Sequence, residues 1–498
     1  MKLFSGWLLA TLILAGPAAA ADGDTLRIAV SALPTQRAHP FQSALSPTIT
    51  TNGAMYDGLT RYSRDGTIEP WLAVAWDHTD DLTWRFTLRD NVTFSNGVPL
   101  TAESVVAVVE HLNTAARPFD NIVRDLPKLT SARALDARTV EIVTAEPMPL
   151  FPRYAMLLLV PEMGAFAALG QDGFTNAPVG TGPYKATDWG AARVKFEAFE
   201  QSWRKPKIPN LEIIAVQDPA NRVHAVIAGQ ADIAIGLGLE QAGDMKAAGG
   251  VVQSWANDTV GAIALVTTRP TPFTDIRVRR ALNLAIDRAT IAATLFDGTV
   301  TPATQPAARG MFGFNPDLPS IPYDPARAKA LLAEAGYSDG FSFVMDMTTV
   351  IGTDATLYQQ IAADFAKLGV HMELRMLPPA QYLRNAFGTG EYDDALTVPW
   401  AGVPVGDVMR AVKMHSCAHN VPWTCDSSIM PLIEAINREW DEAKALEMRR
   451  QLMRYYREEM PAIFLFESVL YTGTTKRVRG FQDYFGFVPY ERISFSGD

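Results

Sequence analysis

The chain has 498 residues, 48% of them hydrophobic, and a formal net charge of −10 at pH 7. It is long enough for two or three domain-sized units, and its acidic balance argues against nucleic acid or an anionic membrane surface as partner. No low-complexity tract and no internal repeat interrupts it, so one compact body is expected rather than an array or a disordered linker.

The N-terminus reads MKLFSGWLLATLILAGPAAAADGD. Lys2 precedes an apolar run, Trp7 to Ala15; Gly16-Pro17 breaks it, and Ala18 to Ala21 follow. That order predicts a secretory signal peptide, segment 1–21, cleaved after Ala20 or Ala21. The run is too short to cross a bilayer, which takes about 20 residues. Export would place the only two cysteines, Cys417 and Cys425, in an oxidising compartment, where they are expected to bond to each other. Asn420 and Pro422 between them favour a turn. A loop this short contributes only about 2–3 kcal/mol, so the bridge is expected to shape one loop rather than hold the fold.

The first predicted strand is Leu26 to Val30. SPTITTNGAMYDGL reads as a helix with Ser46 as cap and Pro47 in the first turn. LTWRFTLR alternates, with Leu82, Trp84, Phe86 and Leu88 on one face. Asn96-Gly97 makes a turn, and Thr101 caps a helix with Glu103 or Ser104 in its first turn. Short strands return at 139–143, 194–199 and 211–216. From about residue 270 the rhythm changes to helix, turn and strand. Thr274 or Asp275 caps a helix with Val278, Leu282, Ala285 and Ile286 inward. YDPARAKALLAEAGY is a helix capped by Asp324 and stopped by Gly336. A stripe at Leu357, Ile361, Phe365 and Leu368 precedes a strand at Val370 to Met376; the span from Trp440 to Tyr456 is a long amphipathic helix, and IFLF after it is a buried strand. Two textures predict two α/β lobes that can move as a hinge. Lobe I is expected at 22–268 plus 475–498, with a subdomain inserted at about 57–185. Lobe II is expected at 269–474.

No catalytic signature stands out. H-E-x-x-H and the phosphate-binding loop are both missing. Asp80-Asp81 and Asp393-Asp394 read as solvated charge. His415 and His419 would share one face if helical and could touch a metal or metal chelate, but Cys417 between them and Asn420 after them favour a loop. No cofactor and no resident metal are expected.

IEPWLAVAW followed by LTWRFTLRDNVTFSNGVPLTAESVV resembles the signature of the family 5 extracellular solute-binding proteins, which serve ABC importers for peptides, nickel chelates and opines. NGAMYDGLTRY, VGTGPYKATDW, FTDIRVRRALNLAIDR, YDPARAKALLAEAGY and IAADFAKLGVHMEL follow in the family's order. The resemblance implies the bilobal periplasmic-binding-protein fold of the large peptide-binding type, two mixed α/β lobes with an extra N-terminal subdomain. It further implies a periplasmic, monomeric receptor, not an enzyme, that encloses a small peptide-like or amine-bearing solute and delivers it to the membrane subunits of an importer. A nickel or metal-chelate receptor of the same fold is the alternative, and a secreted hydrolase the second. SCAHNVPWTCDSS also resembles a disulfide loop of dipeptide-type members.

In the family a stretch after a YD strand leads into the cleft and brings an acid to a ligand amine. Here EYDDALTVPWAGVPVGD places Trp400 and Asp407 there: Trp400 would stack on an apolar part of the solute, and Asp407 would bind an ammonium. A core tryptophan and a helix N-cap are their plainer readings. His415 and Trp423 on the disulfide loop are further candidates. Dipeptide-type members carry an arginine for the ligand carboxylate just before the helix matched by Leu357–Leu368. This chain has Gly352-Thr353-Asp354 instead. Asp354 would repel a carboxylate, which favours a cationic solute, an opine or a metal chelate unless Arg384 substitutes.

Overall fold

The computed structural model describes residues 24–496 except 43–45, 64–65, 115–119, 349–354 and 485. The signal segment 1–21 and Asp354 therefore lie outside the described residues. Five strands organise the rest: β1 (Thr25–Val30), β2 (Ile233–Leu237), β3 (Val251–Leu265), β4 (Ala395–Ala401) and β5 (Ala462–Thr474). They belong to an 11-stranded sheet among the described residues. Its spatial order is Val370–Met376, Phe341–Met347, β4, β3, β5, β2, β1, Asn210–Ala215, Arg193–Ala198, Tyr184–Trp189, with Thr301–Pro302 attached to β5.

The two ends of this sheet form two α/β lobes. At one end β1 runs parallel to both Asn210–Ala215 and β2. Its core includes Leu26, Ile28, Ile213 and Ile233, and the C-terminal residues Phe481, Tyr490, Ile493 and Phe495 pack into it. At the other end Phe341–Met347 runs parallel to both its neighbours. Here the predicted helices form as their stripes dictate. Asp275 caps Ile276–Leu284 by accepting from Arg277 N–H, and Val278 and Leu282 are buried. Asp324 caps Pro325–Glu334 in the same way, and Gly336 beyond it takes φ 91°. Ile361 and Phe365 of Ala355–Ala366 close this core over Phe343 and Val370.

A separate antiparallel sheet, in the order Ala73–His78, Thr83–Leu88, Thr139–Thr144, Leu129–Ala134, makes the N-terminal subdomain. The predicted alternation holds at Trp84, Phe86 and Leu88, which are buried with Val105, Val109 and Ile142. Leu82, one residue before the strand, is 37% exposed. The helix Ala102–Asn113 starts at a capping box, in which Thr101 and Ser104 satisfy each other's backbone N–H groups.

The change of lobes falls inside β3 and β5. From Val251 to Ala256, β3 pairs with residues 469–474 of β5; from Val260 to Ala264 it pairs with residues 462–467. Between the two runs Asn257, Asp258 and Thr259 stand opposite Ser468, a bulge that bends the pair. β2 flanks the first run and β4 the second. Strand neighbours therefore change at 257–259 and 468.

Candidate solute cleft

The bulge in β3 sits where the two halves of the chain meet. Asp258 O accepts from Gly402 N–H at 2.8 Å, just beyond the end of β4. Asp258 is 1% exposed, and its Oδ2 has no hydrogen-bond partner. Two glycines beside it leave no room for a side chain of their own. A Cβ on Gly310 would lie 2.4 Å from Asp258 Oδ1. A Cβ on Gly406 would lie 3.2 Å from Asp258 Oδ2 and 1.8 Å from Tyr62 Oη. Tyr62 comes from the N-terminal half, so at Gly406 the close approach of the two halves leaves no room for a side chain.

A short helix α1 (Phe151–Tyr154) supplies the next layer. Arg153 Nη1 donates to Tyr62 Oη at 2.6 Å and to Gly66 O at 3.3 Å, and the guanidinium lies 4.8 Å over the ring of Phe312. Phe312 is fixed by its backbone: its N–H donates to Gly406 O and its O accepts from Val408 N–H. Further out, Arg410 bridges to Asp125 at 3.1 Å, and Trp440 stacks on His78 with centroids 4.1 Å apart. Val405 is buried in the core of the N-terminal subdomain. These contacts hold the lobes together.

Charge at the junction is unevenly shared. Glu467, on β5, accepts from Arg309 N–H and Nε, both at 3.3 Å. Burial raises its carboxyl above the ordinary range. Burial pushes Asp258 further, up to about 7; Arg153 opposes the shift and Glu467 adds to it. A cavity of about 770 Å³ opens beside the junction, lined among the described residues by Arg61, Tyr62, Glu69, Gln253, Trp255 and Tyr484, with others. That volume lies in the range of small-molecule sites.

The residues expected at the site stand elsewhere. Trp400 is fully buried in the second lobe, with its ring against His415, Tyr456 and Phe464; it is the core tryptophan of the plainer reading, because alternation along β4 turns it inward. Asp407 caps helix α2 (Val408–Met414) through Met409 N–H. Both its oxygens also bind Arg449 of helix α3 (Glu442–Glu459), at 3.0 and 3.1 Å. It is thus committed to a cap and an ion pair and has no oxygen directed at a solute amine. His415 is 1% exposed. Its Nε2 bonds Pro399 O and its Nδ1 accepts from Trp423 Nε1. Burial lowers its pKa to about 4, so it is neutral, with both nitrogens engaged. Trp423 is 3% exposed in the same cluster. Arg384 is exposed at the end of Pro379–Arg384. His419 Nδ1 accepts from Val421 N–H, and no group of three or more His, Cys, Asp or Glu side chains among the described residues is placed to hold a metal ion.

Cys417 and Cys425 form the expected disulfide. Replacing both with serine should lower stability by about 2–3 kcal/mol, read as a shift of the urea midpoint at constant slope. A loss above about 5 kcal/mol would mean that the bridge holds more than its loop.

Sequence reasoning missed Tyr62, Arg153, Asp258, Gly310, Phe312 and Gly406. The one local signal was glycine inside otherwise apolar loops, in AARGMFGF and WAGVPVGD. Two α/β lobes joined by a pair of continuous strands, with their contacts gathered at the bend, define a hinged receptor that encloses a solute. The chain belongs to the bacterial extracellular solute-binding proteins, family 5, whose middle region matches residues 67–416. Proteins of this family are transport receptors, so binding, not catalysis, is the task. The chain is 27% identical over 504 aligned positions to the glutathione-binding protein GsiB of Salmonella typhimurium strain LT2, covering 95% of this chain and 94% of that protein. It is 25% identical over 492 positions to a dipeptide-binding protein of Pseudomonas aeruginosa, covering 90% and 89%. HbpA2 from Haemophilus parasuis shares the fold, with a TM-score of 0.82, 25% identity and coverage of 95% and 100%.

Proposed function

We propose that the chain is exported to the periplasm with loss of segment 1–21, works there as a monomer, and carries a peptide-like or amine-bearing solute to the membrane subunits of an ABC importer. The observation that carries this reading is the two-strand hinge with a cavity of about 770 Å³ at its side. The described residues lining the cavity all come from 61–69, 253–255 and 481–492, so the second lobe would act as its cover, and closing it would remove a solute from water and strengthen every polar contact to it. The cavity presents Arg492 together with Glu69 and Gln253, groups of both signs that suit a solute with an amine and a carboxylate, beside Arg61, which pairs with Glu491 at 3.3 Å. The relatives named for glutathione and for dipeptides support the same class. The metal-chelate alternative relied on His415 and His419; both nitrogens of His415 are already bonded, and His419 Nδ1 accepts from Val421 N–H.

Calorimetry of the full chain with dipeptides, glutathione, opines and nickel–histidine tests the proposal. A peptide-like or amine-bearing solute should bind with a Kd of about 1 μM or tighter, roughly −8 kcal/mol. Binding of nickel–histidine alone would turn the assignment to the metal-chelate class, and silence across the panel would overturn the solute class.

A further inference from the structure

We propose that Asp258 couples closure of the lobes to proton uptake: its carboxyl is neutral when they are shut and ionised when they part. The idea rests on the hinge reading above but not on which solute is carried. Its basis is position. Asp258 lies in the bulge where β3 passes from one lobe to the other, so its surroundings change whenever the bend changes. In this structure the carboxyl is buried, Oδ2 accepts no hydrogen bond, and the space beside it is too small for a Cβ on Gly310 or on Gly406.

No neighbouring cation is committed to this carboxylate. Arg153, from α1, donates to Tyr62 and to Gly66 O. Arg309, from the loop that carries Gly310, pairs with Glu467. Arg449, from α3, is bound through both arms to Asp407, which leads α2. Glu467, on β5, is a second acid, and Tyr62, on Thr60–Tyr62, has a phenol pushed above its ordinary range by burial. An ionised carboxylate buried among these groups without a donor is costly, and one proton from solvent removes the cost.

The direction of the pH effect follows from linkage. The closed carboxyl titrates near 7. Once exposed, it would titrate near the ordinary value of about 4. Between those values the closed form binds more protons, so closure weakens as pH rises through the window and stops changing above it. His415 lies inside one lobe and makes its contacts there, at Pro399 and Trp423, so its titration does not bear on closure.

Small-angle scattering of the full chain without any solute, from pH 5 to 8.5, tests this. The ratio of closed to open molecules should fall up to about tenfold per pH unit below 7 and level off above it. Asp258→Asn, a neutral isostere, should abolish the dependence. Glu467→Gln, which keeps Asp258, should move the midpoint to lower pH, and this second variant decides the matter if the first does not fold. Constant dimensions in the wild type, an Asn variant that keeps the wild-type curve, or an unmoved midpoint in Glu467→Gln would each overturn the proposal. Because no solute is added, this result and the solute panel can fail independently.

Discussion

Gly406→Ala is expected to weaken solute binding about 100-fold while leaving both lobes folded. The added methyl would lie 1.8 Å from Tyr62 Oη. Tyr62 cannot yield easily: it is 1% exposed, is held by Arg153, and stacks on Tyr484 with centroids 5.4 Å apart. Gly406 also has φ 62°, where alanine costs about 1 kcal/mol more than glycine. Gly406 and Tyr62 lie on opposite sides of the bend, so parting the lobes is expected to relieve the collision and the penalty to fall on the arrangement in which they meet. A closed state raised by about 3 kcal/mol lowers apparent affinity by roughly two orders of magnitude. Calorimetry with the tightest solute of the panel measures the loss, and scattering should show a more open chain. Gly310→Ala repeats the test without a positive φ, since its clash, 2.4 Å from Asp258 Oδ1, is purely steric. Affinity within threefold of wild type in both variants would show that these contacts do not govern closure.

The second large effect concerns stability. Asp407→Asn should cost about 3–5 kcal/mol, because it leaves the guanidinium of Arg449 buried without its anion. Both side chains of the pair are 3% exposed, and the pair is bidentate. Replacing both members with apolar residues of similar volume, Asp407→Leu with Arg449→Met, should restore much of the loss. Urea titration of the single and double variants checks both statements. Had Asp407 been a solute contact, the single variant would lose affinity and keep its stability; that result would sink the assignment made here.

The elements that were legible in the sequence are those whose signal is local. Trp84, Phe86 and Leu88 repeat every second residue, and Ile361 and Phe365 every fourth. Asp275, Asp324 and Thr101 sit where helix N-termini need an acceptor, and each was found doing that work. The junction was not legible, because its members stand far apart in the chain: Tyr62, Arg153, Asp258, Gly310 and Gly406 meet only after two lobes have folded. Asp258 lies in SWANDTVGAIAL, where its neighbours Asn257 and Thr259 read as an ordinary polar break in a strand. Asp407 illustrates the opposite error. An acid before VMRAVKM fits a helix cap as well as it fits a ligand anchor, and local sequence cannot choose between them; Arg449, 42 residues away, decides it.

The long pairing of β3 with β5 also constrains how the molecule comes into being. Gly261 finds Phe466 as its partner, about 200 residues later in synthesis. Until the ribosome has nearly finished, the central sheet lacks a neighbour on one side, so a stable tertiary structure is postponed. If the chain is threaded through a narrow translocation channel, as the export proposed above requires, such lateness would keep it pliable on the near side of the barrier and reserve its final assembly for the far side.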